Sequence, residues 1–206
     1  MKIARDGYPT IAALVFMSAG GYLVSPFITA ALICPLVLSI WFYRDPERTP
    51  GDVSRDAWLS PADGRVVEIG EASDPYAGNA VRIGIFMNGF DVHVNRFPFE
   101  GTVEEITHVQ GKKWFAVAPK ASEINERLYV RAITPHGRTT LVQIAGIMAR
   151  RIKCYTKCGS HLVRGERYGM IKLGSKVDIY LPPPISPSVK VGDKVRAGET
   201  VIGVIK

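Results

Sequence analysis

Lys157-Cys-Gly-Ser-His-Leu-Val-Arg-Gly-Glu166 and Lys190-Val-Gly-Asp-Lys-Val-Arg-Ala-Gly-Glu199 follow one pattern, a glycine answered six residues later by Gly-Glu. Two similar β-turns, each using glycine for a positive φ, would account for it locally. The stronger reading is a fold of pseudo-repeated β-hairpins, because short strand candidates fill the chain around both copies. These are Arg65-Val-Val-Glu-Ile, Ala80-Val-Arg-Ile-Gly-Ile-Phe, Gly101-Thr-Val-Glu-Glu-Ile, Thr139-Thr-Leu-Val-Gln-Ile and Lys176-Val-Asp-Ile-Tyr-Leu, broken by Gly, Pro, Asp and Asn. Helix signals are weak here, with one short turn expected over Ser122 to Leu128. The chain as a whole is expected to be mainly β (α+β), with residues 58–206 forming a sandwich-barrel-like β domain.

The N-terminal part is of another kind. Two apolar runs, Tyr8 to Val24 and Phe27 to Tyr43, are separated by Ser25-Pro26, which reads as a turn. No charged side chain falls in residues 8–43. Each run is about 17 residues, the short end of what spans a bilayer. Lys2 and Arg5 precede the first run, and Arg44 and Arg48 follow the second, which favours a helical hairpin with both ends cytoplasmic. Gly20-Gly21 and Pro35 make the helices imperfect, so a re-entrant or interfacial hairpin is the alternative. A second apolar run follows at once, without a convincing small-residue cleavage site, which argues against a removed signal peptide. The expected organisation is a membrane-associated apolar hairpin over 1–43, a polar linker over 44–57 and the β domain over 58–206.

The 206 residues carry a net charge of +7, all of it outside residues 8–43. A basic part beside an apolar one points to an anionic membrane surface. Nucleic acid is the competing reading of the charge, but the basic residues are scattered and no recognition motif accompanies them, so no nucleic-acid partner is expected. Arg150-Arg151-Ile-Lys153 and Lys112-Lys113-Trp114-Phe115 join basic and aromatic residues as an interface would, although a solvated surface explains them equally well. The three cysteines, Cys34, Cys154 and Cys158, are odd in number and loosely spaced. They are read as reduced thiols, with Cys154 packed in a strand, and no second pair completes a zinc set. No metal is expected, and no P-loop or dinucleotide fingerprint is present.

Three short segments could carry chemistry. Ser60-Pro-Ala-Asp63-Gly64-Arg-Val is by itself a good turn. In Met87-Asn-Gly-Phe-Asp91-Val-His93-Val-Asn95-Arg96-Phe-Pro98, an alternating strand would put Asp91, His93 and Asn95 on one face. In Leu173-Gly174-Ser175, the Gly-Ser pair is common and by itself means nothing. The combination is far more specific. With Phe42-Tyr-Arg-Asp-Pro-Glu-Arg, Val142-Gln-Ile-Ala-Gly, Arg164-Gly-Glu-Arg-Tyr-Gly and Asp178-Ile-Tyr-Leu-Pro, in this order over nearly the whole chain, the sequence resembles the phosphatidylserine decarboxylases, in particular their short bacterial and archaeal-type branch.

The resemblance implies a proenzyme that cuts itself between Gly174 and Ser175. Gly174 would end a β chain of residues 1–174, and Ser175 would become the pyruvoyl terminus of an α chain of residues 175–206. The two chains would remain together as a heterodimer, and a homo-oligomer stays open. The pyruvoyl group derived from Ser175 would form a Schiff base with the amine of phosphatidylserine and release carbon dioxide and phosphatidylethanolamine. A serine hydroxyl is a weak nucleophile and needs a base. His93 is the candidate for that base and for the later proton donor, since imidazole titrates near neutral pH. Asp63 resembles the family's acidic partner and would orient His93. Longer members carry a second histidine where Arg96 stands here. Arg96, with Asn95 beside it, is therefore a candidate for binding the substrate's phosphate or carboxylate. The implied site of action is the cytoplasmic face of the cell membrane. An archaetidylserine-type decarboxylase is the near alternative. A non-enzymatic carrier built like the biotinyl and lipoyl sandwich-barrels is a distant one, since no lysine sits between apolar residues at a hairpin tip. A metallopeptidase on a related β fold would need a His-x-His pair that the sequence lacks.

Overall fold

The computed structural model describes residues 2–112, 114, 121–146, 152–172 and 174–205. The chain divides into two compact units, residues 1–47 and 48–206. In the first, β1 (Lys2–Ile3) leads into helix α1 (Tyr8–Tyr22), and helix α2 (Pro26–Phe42) runs into β2 (Arg44–Asp45). The two short strands pair antiparallel and close the hairpin at its base. The expected turn is present. Ser25 caps α2, its Oγ accepting from the Phe27 N–H at 3.3 Å, and Pro26 occupies the first turn, where no N–H is needed. Apolar side chains remain exposed along both helices, Phe16 at 77% and Phe27 at 85% among them. Among the described residues no helix is long and apolar enough to cross a membrane.

The second unit is β-rich. Its elements are β3 (Ala57–Leu59), β4 (Gly64–Asp74), β5 (Gly78–Met87), β6 (Val94–Arg96), β7 (Gly101–Val109), the four-residue helix α3 (Ala121–Ile124), β8 (Arg127–Thr134), β9 (Gly137–Ala145), β10 (Ile152–Cys154), β11 (His161–Leu162), β12 (Arg167–Ile171), β13 (Ser175–Leu181), β14 (Ile185–Pro187), β15 (Lys194–Val195) and β16 (Val201–Ile205). Among the described residues they form an antiparallel eight-stranded sheet in the order β11-β7-β8-β9-β13-β5-β4-β15, and two three-stranded sheets, β10-β12-β6 and β14-β16-β3. The large sheet curls into a half barrel. All three sheets contribute to one core. Trp58 and Ile202 come from the β3 sheet, Tyr168 and Ile171 from the β12 sheet, and Ile83, Ile85, Val130, Leu141, Val177 and Ile179 from the large sheet. The expected mainly β, sandwich-barrel-like architecture is thus present.

The two ten-residue echoes lie on opposite edges of the large sheet. β11 pairs with β7 at one edge and β15 with β4 at the other. Their glycines all take positive φ: Gly159 82°, Gly165 83°, Gly192 99° and Gly198 72°. Backbone bonds repeat in kind. Gly159 N–H donates to Val103 O and Val103 N–H to Ser160 O. Gly192 N–H donates to Val66 O and Val66 N–H to Asp193 O. The repeat is larger than the turns. Ser60-Pro-Ala-Asp-Gly-Arg-Val before and into β4 matches Phe97-Pro-Phe-Glu-Gly-Thr-Val before and into β7. Both strands shift register at the same place, between Val66 and Glu68 and between Val103 and Glu105. This longer correspondence is spread over a few turn residues and is not visible in the echo alone.

Two local expectations change. The helical turn over Ser122 to Leu128 is confined to α3, and Arg127 already begins β8. Leu128, Val130 and Ala132 alternate into the core, so the period of two wins over a weak helix signal. The strand expected to carry Asp91, His93 and Asn95 on one face starts only at Val94. Asp91 instead closes a turn, its Oδ2 accepting from Asn88 N–H at 2.9 Å, and all three residues are buried rather than solvated. Cys154 lies in β10 and packs against the core, and its thiol is pushed up by burial. The cysteines form no disulfide. Lys112, Trp114 and Lys153 are described, whereas Lys113, Phe115, Arg150 and Arg151 lie outside the described residues.

Candidate active site

Ser175 is the first residue of the central strand β13. It pairs with Met87, the last residue of β5, on one side and with Ala145, the last residue of β9, on the other. Three strands therefore end together around it. Ser175 is fully buried, and its Oγ has no hydrogen-bond partner among the described residues. A buried hydroxyl left in this state costs about 1–3 kcal/mol, so it marks a place built for something other than stability. Gly174 precedes it at φ 55°, in the left-handed region where a side chain costs about 1–2 kcal/mol. A Cβ at that position would meet nothing within 4 Å, so its requirement for glycine is conformational and not one of space. Leu173 lies outside the described residues.

His93 arrives from the other sheet. β6 pairs with β12, and the His93 carbonyl accepts from Ile171 N–H at 3.3 Å, four residues before Ser175. His93 is thus tied to the last residue of β12, and Ser175, four residues on, begins β13. The ring is fully buried. Its Nδ1 lies 2.9 Å from the Asp91 carbonyl oxygen, and since a carbonyl can only accept, Nδ1 carries the proton. In the neutral ring the lone pair is then on Nε2, the state a general base needs.

Asn95 lies on β6. Its Nδ2 donates to Met87 Sδ at 3.5 Å, directly opposite Ser175 in register, and its Oδ1 accepts from Gln143 Nε2 at 2.7 Å. Gly169 makes room for this amide pair, because a Cβ there would lie 2.8 Å from Gln143 Nε2. On the far side, Asn125 Nδ2 donates to the Ala145 carbonyl at 2.8 Å and fixes the other neighbour of Ser175. Gln143 and Asn125 were not singled out by the sequence. The usable signal for Gln143 was a long polar side chain at a core position of the apolar stretch Leu141-Val-Gln-Ile-Ala145.

Asp63 and Arg96 are placed differently from what their expected roles suggest. Both Asp63 oxygens are held by the Arg48 guanidinium, Oδ2 from Nη2 at 2.8 Å, and Oδ1 also accepts from the Ala197 N–H at 2.8 Å. The two side chains are only 7% and 11% exposed. Arg48 was read as a flanking positive charge, and the structure makes it the partner of Asp63. In the other half of the pseudo-repeat the matching residue, Glu100, is exposed, so Asp63 has been specialised. Arg96 is buried, donates from Nη1 to the Gly165 carbonyl at 2.9 Å, and packs its stem against Gly198. Breaking one side of a buried pair leaves an uncompensated charge, at a cost of about 3–5 kcal/mol. Arg48→Met is expected to lower the thermal midpoint by about 10 °C, at about 2–4 °C per kcal/mol for a chain of this size. Arg48→Met/Asp63→Asn is expected to recover most of that loss. Calorimetry on the two variants decides it, and equal midpoints for wild type and Arg48→Met would remove the pair from the stability account.

A buried serine without a hydrogen-bond partner among the described residues, a left-handed glycine before it and a buried histidine bonded to the end of β12 match the residues that carried the sequence resemblance. The family model described as phosphatidylserine decarboxylase matches residues 37–203. The chain belongs to the phosphatidylserine decarboxylase family. It is 45% identical to the phosphatidylserine decarboxylase proenzyme of Pelobacter propionicus, over 98% of this chain and 96% of that protein. The proenzyme of the same name from Cupriavidus pinatubonensis is 43% identical over 97% of this chain and 94% of its own length. That of Solidesulfovibrio magneticus is 45% identical with the same coverage. Family membership makes the chain a lyase of the decarboxylase class and a zymogen.

Proposed function

We propose that the protein matures by cutting itself between Gly174 and Ser175 and then decarboxylates phosphatidylserine with a pyruvoyl group formed from residue 175. The observation that carries the reading is the buried Ser175 hydroxyl with no partner among the described residues, preceded by a glycine at positive φ. His93 Nε2 takes the hydroxyl proton, and Ser175 Oγ attacks the Gly174 carbonyl carbon. The peptide nitrogen leaves with a proton, so the amide becomes an ester. Elimination then frees the Gly174 carboxylate, and water releases ammonia from residue 175. The residues around Ser175 fit the group that results, since residue 175 is buried where three strands end, with hydrogen-bonding amide side chains nearby. Met87 and Ala145 flank it, and the Asn95–Gln143 pair lies across the core face. The pyruvoyl group supplies an electron sink for the electrons left by departing carbon dioxide.

The chain's own residues do the rest. His93 holds the proton that replaces the lost carboxylate. The Asp91 carbonyl keeps its Nδ1–H in place, while Asp63 is bound to Arg48 and the Ala197 N–H and takes no direct part in orienting the ring. Arg96 and Asn95 are assigned to the head group. The α chain would stay bound, because β13 lies between β5 and β9 within the large sheet, β15 pairs with β4 at one edge of it, and β16 pairs with β3 in a second sheet. The apolar hairpin, with its exposed aliphatic and aromatic side chains, would lie in the cytoplasmic interface of the cell membrane, where the substrate is found.

Incubation with phosphatidylserine vesicles tests the reading. Purified protein should separate under denaturing conditions into residues 1–174 and a fragment starting at residue 175 that lacks one ammonia, and should convert the lipid to phosphatidylethanolamine. An intact chain that stays intact and leaves the lipid unchanged would overturn it.

A further inference from the structure

Lys176 follows the cleavage site directly, and its side chain points to the face of the large sheet opposite the core. Alternation along β13 requires this: Ser175, Val177 and Ile179 face inward, and Lys176 and Asp178 face outward. Outward residues of such a sheet are normally wet, yet Lys176 is 2% and Asp178 1% exposed. The ammonium has three partners at hydrogen-bond distance. Asp178 Oδ1 is at 3.0 Å, Glu68 Oε2 at 3.1 Å and Ser122 Oγ at 3.0 Å. Ser122 in turn donates to Asp178 Oδ2 at 2.9 Å, and Arg82 pairs with Glu68.

Three separate features of the fold make room for this lysine. The register shift between Val66 and Glu68 moves Glu68 opposite Gly84 and onto the outward face; without the extra residue its carboxylate would point into the core. Gly84 has no side chain where the lysine stem runs, and a Cβ there would lie 2.6 Å from Lys176 Cε. The short helix α3 lowers Ser122 onto the ammonium from above. Burial pushes the Asp178 carboxyl up in spite of Lys176 and Ser122. Burial also raises Glu68, but Lys176 and Arg82 outweigh it and hold that carboxyl below its ordinary range. Such a cluster is a poor way to gain stability, since apolar residues of similar volume usually do as well or better. What it gives is a fixed position for one atom group.

We propose that Lys176 is a positioning residue, a clamp that keeps the cut end of β13 in register once the bond before Ser175 is gone. The inference rests on the self-cleavage described above. Before the cut, residue 175 is held by the chain on both sides. Afterwards it is a strand end, and strand ends fray. The nearest side-chain anchor along the α chain is then Lys176, tied to β4, to α3 and to Asp178 two residues further on. A slip of the cut end by a fraction of a residue would carry residue 175 away from His93 and Asn95 on the inner face.

Lys176→Met keeps the length of the stem and removes the charge. In this variant cleavage should proceed to the wild-type extent, while kcat on phosphatidylserine vesicles falls about tenfold or more, as a small misplacement of reacting groups costs. KM should stay within about twofold, because substrate contacts are untouched. Hydrogen exchange gives the decisive readout. Amides of residues 176–179 should exchange faster in cut Lys176→Met than in cut wild type, and equally in the uncut Ser175→Ala and Ser175→Ala/Lys176→Met chains. Equal exchange in the two cut proteins, or a loss that is the same cut and uncut, overturns the clamp. If Lys176→Met does not fold, Ser122→Ala removes one arm of the same clamp and is read the same way. A wild-type chain that is never cut would instead remove the proposed function, and the two failures are thereby distinct.

Discussion

Ser175→Ala is expected to give a single chain of 22.6 kDa that never separates into fragments and has no measurable decarboxylase activity. The loss should be complete to the limit of detection, about six orders of magnitude or more, because the whole acceleration depends on a ketone that no other side chain supplies. Stability should move the other way. The Ser175 hydroxyl is fully buried and has no partner among the described residues, so alanine removes an unsatisfied group without breaking a bond. The unfolding midpoint of the variant should equal or exceed that of the uncut wild-type chain. Denaturing mass analysis, carbon dioxide release from labelled lipid and a thermal melt on one preparation suffice. A variant that is inactive and also unstable would mean that the serine holds the fold, and its use as a cleavage nucleophile would lose its main support. Activity in an uncut variant would transfer the chemistry to another residue altogether.

The β architecture was legible because it is local. Strand candidates alternate, turns carry glycine, and the echo of Lys157–Glu166 in Lys190–Glu199 predicts two like hairpins, which the structure puts on the two sheet edges with all four glycines at positive φ. The larger repeat, Ser60-Pro-Ala-Asp-Gly against Phe97-Pro-Phe-Glu-Gly, is not legible in the sequence because only two of its five residues are the same, and the rest of its likeness lies in backbone bonds. The site was legible in part. Gly174, Ser175 and His93 stand in motifs, whereas the partners of Asp63, Gln143 and Lys176 come from 15, 48 and 108 residues away. No periodicity reports such pairings. A lysine in an alternating strand reads as an exposed position, and only the register shift at Val66/Glu68 and the bare Gly84 show that it is not. The role of Arg48 is hidden for a related reason: in a run of polar linker residues, nothing marks a guanidinium that folds back onto a buried carboxylate.

His93→Ala should slow maturation by about 10²–10⁴-fold, the usual contribution of a positioned general base. Cleavage should not vanish, since Gly174 keeps its left-handed geometry and the strand ends around Ser175 are unchanged. The variant would therefore accumulate as full-length chain and convert over days, with a time course readable by denaturing mass analysis. His93 sits in a buried slot, with Nδ1 fixed by the Asp91 carbonyl at 2.9 Å. Truncation leaves a cavity the size of a ring, lined on one side by an acceptor waiting for an N–H. Added imidazole fits that description, and it should restore part of the cleavage rate in His93→Ala but not in Ser175→Ala. Rescue of the first and not the second separates a missing base from a collapsed site. The slowly matured His93→Ala protein then allows the second question to be asked on the same sample. If the histidine also delivers the final proton, this cut enzyme should remain slow on phosphatidylserine, and imidazole should raise that rate too. A mature variant that decarboxylates at the wild-type rate would confine His93 to the cleavage step. The proton in turnover would then have to come from another group at this end of the sheet.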